Sequence, residues 1–162
     1  MTAILAKTAP PRLGVPAAAD DATWRVRTDP GQYLLAAARD DAPARFGHPP
    51  APVDDTALRI WSSAFALAVR RRFEPRSPLA EISRTVSGAV QTHEVAALPV
   101  LDAEMLVREA LGETVPVDEI DPAVRLAVHL LVFASLTDEL ALGDGELDGL
   151  IAQAEELAGA IS

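Results

Sequence analysis

A cluster of arginines is the part of this sequence whose residue types and spacing most clearly favour ligand binding. Arg70, Arg71 and Arg72 are consecutive, and Arg76 and Arg84 follow shortly after them. Guanidinium groups gathered in this way bind phosphate groups, nucleic acids or acidic protein surfaces. A purely structural role is the alternative, because arginines at the end of a helix complement its dipole and pair with carboxylates of the same chain. An arginine paired in that way is not available to a ligand.

Residues 77–95 permit a second, more specific interpretation as a helix-turn-helix with its turn at Gly88. The second helix would carry Gln91, His93 and Glu94 but no basic residue after Arg84. A recognition helix without lysine or arginine reads the major groove poorly. We therefore expect one amphipathic helix here rather than a DNA-reading pair.

The acidic segment 144–155 matches the spacing of a calcium-binding loop in part. Asp144, Glu146, Asp148 and Glu155 fall at positions 1, 3, 5 and 12 of a twelve-residue loop, and Gly149 falls at position 6. The apolar residues between them recur at helical spacing, however, and one segment cannot be both a loop and a helix. We expect a helix capped by Asp144, with Leu157 on its apolar face.

Motifs that identify catalytic or cofactor-binding sites are missing from the sequence. His93 is not part of an HExxH motif, and His129 lies in an apolar run without a glutamate three residues before it. The sequence has no phosphate-binding loop, no dinucleotide fingerprint and no nucleophile elbow. We therefore assign no catalytic, cofactor-binding or metal-binding residue, although a dispersed active site stays open.

The charge of the chain is divided between its two halves. Residues 1–86 carry a formal net charge of +3 and residues 87–162 carry −13, which together give the net charge of −10. An acidic protein with one basic region is expected to bind partners by charge complementarity. The overall negative charge argues against general DNA coating, which requires neutralisation of many phosphates.

The amino-acid composition further limits the class of protein to which this chain can belong. Apolar residues make up 49% of the 162 residues, which is enough for one globular core. The absence of cysteine excludes disulfides and thiolate sites and is consistent with the cytoplasm. Residues 126–136 form the longest apolar run, which is about half the ~20 residues needed to cross a bilayer. We expect a cytoplasmic protein without a membrane segment.

The N-terminal third is rich in proline, with eight of the 13 prolines in the first 55 residues. Proline fixes φ and lacks a backbone donor, so we expect residues 1–53 to form a poorly ordered extension containing one short helix that is capped by Asp29 and starts at Pro30. Trp24, isolated in this extension, is a candidate contact with a partner or with the chain's own body. The sequence leaves open whether residues 29–42 pack on the core.

Residues 54–162 are expected to form the helical domain. Apolar spacing predicts a helix from Asp54, which we expect to cap it, to Arg72, and another from a Ser77 cap followed by Pro78 to about His93, with Leu79 on the core face. A third helix is expected from Asp102 to Gly112. Two more follow, one from the Asp121-Pro122 pair to about Leu142, and the helix from Asp144. The fold class is therefore all-α, an irregular bundle of about five or six helices.

These features favour a non-enzymatic adaptor, assembly or regulatory protein that acts through protein–protein contacts. Trp24, Arg70, Arg71, Arg72, Arg76 and Arg84 are its candidate partner-binding residues. In one version, the basic region of one copy binds the acidic half of another, and this contact weakens as salt rises. The alternative is binding of nucleic acid or a phosphate ligand through the arginines of residues 70–84.

Overall fold

The computed structural model describes residues 25–39 and 54–159, and within these two ranges it is all-α, as the sequence predicts. Trp24 and the proline-rich segments before residue 25 and between residues 40 and 53 lie outside the described residues. The helices are α1 (Asp29–Arg39), α2 (Asp55–Arg72), α3 (Leu79–Thr92), α4 (Val100–Ala110), α5 (Pro122–Glu139) and α6 (Asp144–Leu157). Short 3₁₀ turns, Glu94–Ala96 and Val117–Glu119, precede α4 and α5. No described helix combines the length and apolarity that crossing a membrane requires.

Two helix starts follow the capping chemistry expected from the sequence. The Asp54 carboxylate accepts a hydrogen bond from the Ala57 backbone N–H at 2.9 Å and so caps α2. The Asp121 carboxylate accepts one from Ala123 at 2.8 Å, and Pro122 occupies the first turn of α5. These caps satisfy backbone donors that have no partner inside the helix.

Three other predicted caps are wrong. Thr28, rather than Asp29, caps α1, because its hydroxyl accepts the Gly31 N–H at 3.0 Å. Gly143, rather than Asp144, precedes α6, and its N–H donates to Glu146 at 3.1 Å. Ser77 closes the preceding turn by accepting the Glu74 N–H at 2.9 Å, so α3 starts without a side-chain cap. In each case the N-cap position lies one residue away from the predicted one, so the predicted side chain is not placed to accept the first free N–H groups of the helix.

Helix boundaries differ from the predictions where the chain must reverse direction. α4 begins at Val100, directly after Pro99 and two residues before Asp102. α4 is followed by Gly112 in a left-handed conformation (φ 99°), as expected. α5 ends at Glu139, about three residues earlier than predicted, because Ala141 takes the left-handed position (φ 53°) and leaves Gly143 to start α6.

The core lies around α2 and α5, whose largest fully buried side chains include Trp61, Phe65 and Phe133. α1 packs against α2, α5 and α6, so residues 29–39 share this core. The Trp61 indole N–H donates to the Pro30 carbonyl at 2.9 Å, which fixes the start of α1 on α2. Leu79 and Leu157, both expected on apolar faces, are instead 53% and 63% exposed at helix ends.

A buried carboxylate joins the N-terminal segment to α6. Glu155 is completely buried, and its carboxylate accepts the Arg27 N–H at 3.0 Å and the Thr28 N–H at 2.7 Å. The Thr28 hydroxyl donates a third hydrogen bond at 2.5 Å. The carboxylate therefore lies beside the N-terminus of α1, where the helix dipole also favours negative charge. Burial of this charge is tolerated because donors surround it.

We predict that Glu155→Gln destabilises the fold by about 2–3 kcal/mol, because an amide offers one acceptor where the carboxylate satisfies three donors. The exposed neighbour provides a matched control, since Glu156→Gln should change the free energy of unfolding by less than about 0.5 kcal/mol. Urea denaturation followed by circular dichroism measures both values. Equal stabilities of the two variants would show that the buried carboxylate does not hold α1.

Replacement of two glycines by alanine should change the free energy of unfolding in opposite directions. At Gly31 a Cβ atom would lie 2.5 Å from the Glu155 carboxylate and 2.7 Å from Val26, so Gly31→Ala must displace this contact and lower stability. At Gly88, inside α3, no atom lies within 4 Å of the added Cβ. Gly88→Ala should raise the free energy of unfolding by about 0.5–1 kcal/mol. The same denaturation experiment tests both, and a stabilising Gly31→Ala would contradict the close approach.

Candidate functional site

The three consecutive arginines of the predicted cluster point in different directions, because successive residues of a helix are rotated by about 100°. Arg72 is half-buried and forms ion pairs with Glu139 at 2.9 Å and with Glu81 at 3.0 Å. Its guanidinium also lies over the Phe73 ring, 4.6 Å from the centroid. The hydrogen bonds to Glu81 and Glu139 raise the pKa of Arg72 above its ordinary value. Arg72 is thus committed to joining α2, α3 and α5.

The remaining members of the cluster are exposed. Arg70 donates through Nε to the Ala110 carbonyl at 2.9 Å, which anchors it at the end of α4. Arg71, Arg76 and Arg84 form no ion pair with any described residue. We call these three residues the arginine corner, since they lie on the end of α2, the following turn and α3.

Arg72 joins the two helices that carry Arg71 and Arg84. Besides its ion pairs, it donates to the Thr85 hydroxyl at 3.3 Å, so the end of α2 and the middle of α3 are joined next to Arg84. Arg72 and Arg84 line the same groove, of about 550 Å³. The structure therefore divides the predicted cluster into one structural arginine, one helix-end anchor and three exposed charges.

The same groove contains a serine–histidine contact that the sequence analysis did not find. His93 Nε2 lies 3.1 Å from the Ser135 hydroxyl, within the reach of proton transfer. Ser135 lies inside α5, where the neighbouring backbone N–H groups belong to the helix and cannot stabilise an oxyanion. The contact accounts for the burial of His93 at the end of α3 as a packing hydrogen bond.

A larger groove of about 810 Å³ runs along α2 and faces α4 and α5; we call it the α2–α5 trough. Along α2 its lining residues Leu58, Ser62, Ala66 and Arg70 recur every four residues, which places them on one face. Its other walls come from α4, α5 and the segment between them. Lining residues from those walls are Leu106, Glu109, Ala110, Asp118, Ile120, Pro122, Arg125, Leu126 and His129.

Of the three arginines that line this trough, the sequence analysis named Arg70 as a candidate and missed the other two. Arg59 lies on α2 and donates to the Ala158 carbonyl at 3.3 Å. Arg125 lies on α5 and donates through Nη2 to the Val117 carbonyl. Arg125 and His129 lie four residues apart on one helix, and this spacing could have indicated from the sequence that they share a face. Their proximity to Arg59 and Arg70 depends on the packing of α2 against α5.

His129 is buried where the trough meets the core. Its ring centroid lies 4.9 Å from that of Phe65. Burial, together with the positive charge of Arg125, lowers the pKa of His129 to about 4. The ring is therefore neutral at physiological pH.

The described residues contain no group of three or more histidine, aspartate or glutamate side chains placed to hold a metal ion. Residues 144–155 belong to α6, so the helical interpretation of the calcium-like spacing is confirmed. α3 is likewise continuous through Gly88, which confirms one helix in place of a helix-turn-helix.

Comparisons with known proteins supply no further assignment. No family model matches the chain, and neither the curated proteins nor the solved structures contain a match. Function must therefore be argued from the geometry and charge of the chain itself.

We predict that His129 makes the fold sensitive to acid between about pH 6.5 and about pH 4. Its pKa is lower in the folded than in the unfolded chain, so its contribution to stability is complete above the unfolded value and is lost as pH falls through the folded one. The loss should reach about 3 kcal/mol relative to a His129→Leu variant, measured by urea denaturation across this range. An imidazole that titrates near its ordinary pKa by NMR would overturn this prediction.

Proposed function

We propose that the chain is a non-enzymatic cytoplasmic adaptor, assembly or regulatory protein that binds an acidic protein surface through the arginine corner. One observation carries this proposal: Arg71, Arg76 and Arg84 are exposed and form no ion pair with any described residue, in a protein whose net charge is −10. Arg39, Arg72 and Arg108, by comparison, all pair with carboxylates of the chain.

The position of these charges supports a role in association. Exposed charges steer encounter and discriminate between partners, and they contribute little to the stability of the fold itself. Arg72 fixes α3 against the end of α2 through Glu81 and Thr85, so the arginine corner is presented by a rigid junction. Arginines whose backbone is held by packed helices lose less conformational entropy on binding than the same residues on a loose loop, and Arg71 and Arg84 lie on such helices.

Nucleic-acid or phosphate-ligand binding through the same arginines is the competing proposal. α3 has no basic residue beyond Arg84, and Arg72 is already paired with two carboxylates. Support for this alternative therefore comes only from Arg70 and the arginine corner. A second acidic copy of this chain and an unrelated acidic protein both fit the preferred proposal.

Charge reversal tests the proposal with a matched control. An Arg71→Glu, Arg76→Glu variant should lose partner binding by at least about tenfold, and the wild-type complex should weaken between about 50 mM and about 500 mM salt. An Arg25→Glu, Arg27→Glu variant has the same net charge and changes only exposed side chains, so it should retain binding. The measurement is affinity purification from the native host, followed by titration of the purified partner.

Other outcomes separate the alternatives. A partner that binds both variants equally, or is indifferent to salt, would contradict a role for the arginine corner. A signal that disappears on nuclease treatment would instead support nucleic-acid binding. Light scattering of the purified chain at both salt concentrations identifies self-association, which should also be lost in the Arg71→Glu, Arg76→Glu variant.

A further inference from the structure

The α2–α5 trough has the size of a small-molecule site, and short side chains form part of its α2 wall. Its volume of about 810 Å³ lies within the range of ligand pockets, roughly 300–1,000 Å³. From Leu58 to Arg70 it follows α2 for about 18 Å, given the rise per residue of a helix. Between these ends α2 contributes Arg59 and Phe65 as well as Ser62, Ser63 and Ala66, and the short side chains of the last three leave the space open.

Half of the residues that line the trough are apolar, and they offer a surface to a hydrocarbon chain. Leu58 is 42% exposed at one end, and Leu126 lines the α5 wall. The Ser62 hydroxyl already donates to the Arg59 carbonyl at 3.2 Å, so it adds little polarity to the wall. A hydrocarbon chain placed along this wall would remove exposed apolar surface from water, which is favourable in proportion to the area buried.

One polar group in the trough is unsatisfied. Arg125 Nε is buried and has no hydrogen-bond acceptor among the described residues, although Nη2 of the same side chain donates to the Val117 carbonyl. Arg125 as a whole is half-buried and lines the trough, so the accessible part of its guanidinium can pair with an oxyanion, for which a carboxylate or phosphate is the best partner. Arg59 and Arg70 add positive charge at the two ends of the same wall.

Two carboxylates restrict the number of anionic groups that the trough accepts. Glu109 and Asp118 are exposed lining residues, so three arginines are opposed by two negative charges. The resulting excess of one positive charge favours a ligand with a single anionic group and disfavours a polyanion such as nucleic acid. His129, which is neutral, adds no charge to this balance.

We infer that the α2–α5 trough is a binding site for a single-chain amphipathic anion, with its carboxylate or phosphate monoester at Arg125 and its hydrocarbon chain along the Leu58–Arg70 face of α2. This site is separate from the arginine corner and does not depend on the protein-binding proposal. The chemistry shared by fatty acids and alkyl phosphates is one oxyanion at the end of an apolar chain.

Calorimetric titration of the full chain with decanoate, decyl phosphate and decanol tests this inference. The anions should bind with one-to-one stoichiometry, and uncharged decanol should bind at least about tenfold more weakly because it cannot pair with Arg125. The ratio of the two anion affinities distinguishes a carboxylate site from a phosphate site. Failure of both anions to bind, or equal affinity for decanol, would overturn the inference.

Three variants locate the binding site. Arg125→Gln should weaken anion binding by at least about tenfold while leaving decanol unchanged. Ala66→Trp fills the trough without altering charge and should abolish binding of all three probes. Arg25→Gln, at an exposed residue that lines neither the trough nor the arginine corner, should bind as the wild type does. If Arg125→Gln fails to fold, Ala66→Trp and the comparison with decanol still test the inference. Undiminished binding by Ala66→Trp would show that the ligand binds outside the trough.

Discussion

The buried carboxylate of Glu155 constrains the arrangement of the whole bundle. A charged group at zero exposure is stable only where hydrogen-bond donors surround it, and here the donors are the Arg27 and Thr28 backbone N–H groups and the Thr28 hydroxyl. Because two of these donors belong to the backbone, the hydrogen bonds to Glu155 fix the path of the backbone before α1 and not only the position of one side chain. The segment must approach α6 closely, which explains why a glycine occupies position 31.

The position of α1 extends this constraint to the rest of the core. Thr28 uses its hydroxyl oxygen to cap α1 while the hydroxyl hydrogen donates to Glu155, so one residue starts the helix and anchors it. Once α1 is in place, the Pro30 carbonyl accepts the Trp61 indole N–H, and Tyr33 lies 5.7 Å from the Trp61 ring. The largest buried side chain of α2 is therefore satisfied only when α1 is docked.

α2 connects the two surfaces to which we assign binding roles. Helical periodicity directs Arg70 to the end of α4, Arg72 to Glu81 and Glu139, and leaves Arg71 exposed. On another face of α2, the short side chains of Ser62, Ser63 and Ala66 leave space that forms part of the α2–α5 trough. A single helix thus supplies a polar corner suited to an acidic protein and a groove suited to an amphipathic anion, and each can be altered without touching the other.

The sequence by itself determined the fold class, most helix positions and two of the five predicted caps, because apolar periodicity and residues such as Asp54 and Asp121 act locally. It did not determine the start of α1 or of α6, where Thr28 and Gly143 take the N-cap position in place of the adjacent aspartates. Glu155 interrupts the apolar face of α6, and that anomaly was visible, but its donors lie more than 100 residues away. Helical periodicity separates the consecutive arginines, but the partner of each arginine and the trough were decided by tertiary structure. Both depend on which faces of α2, α4 and α5 meet, and local spacing carries no information about distant partners.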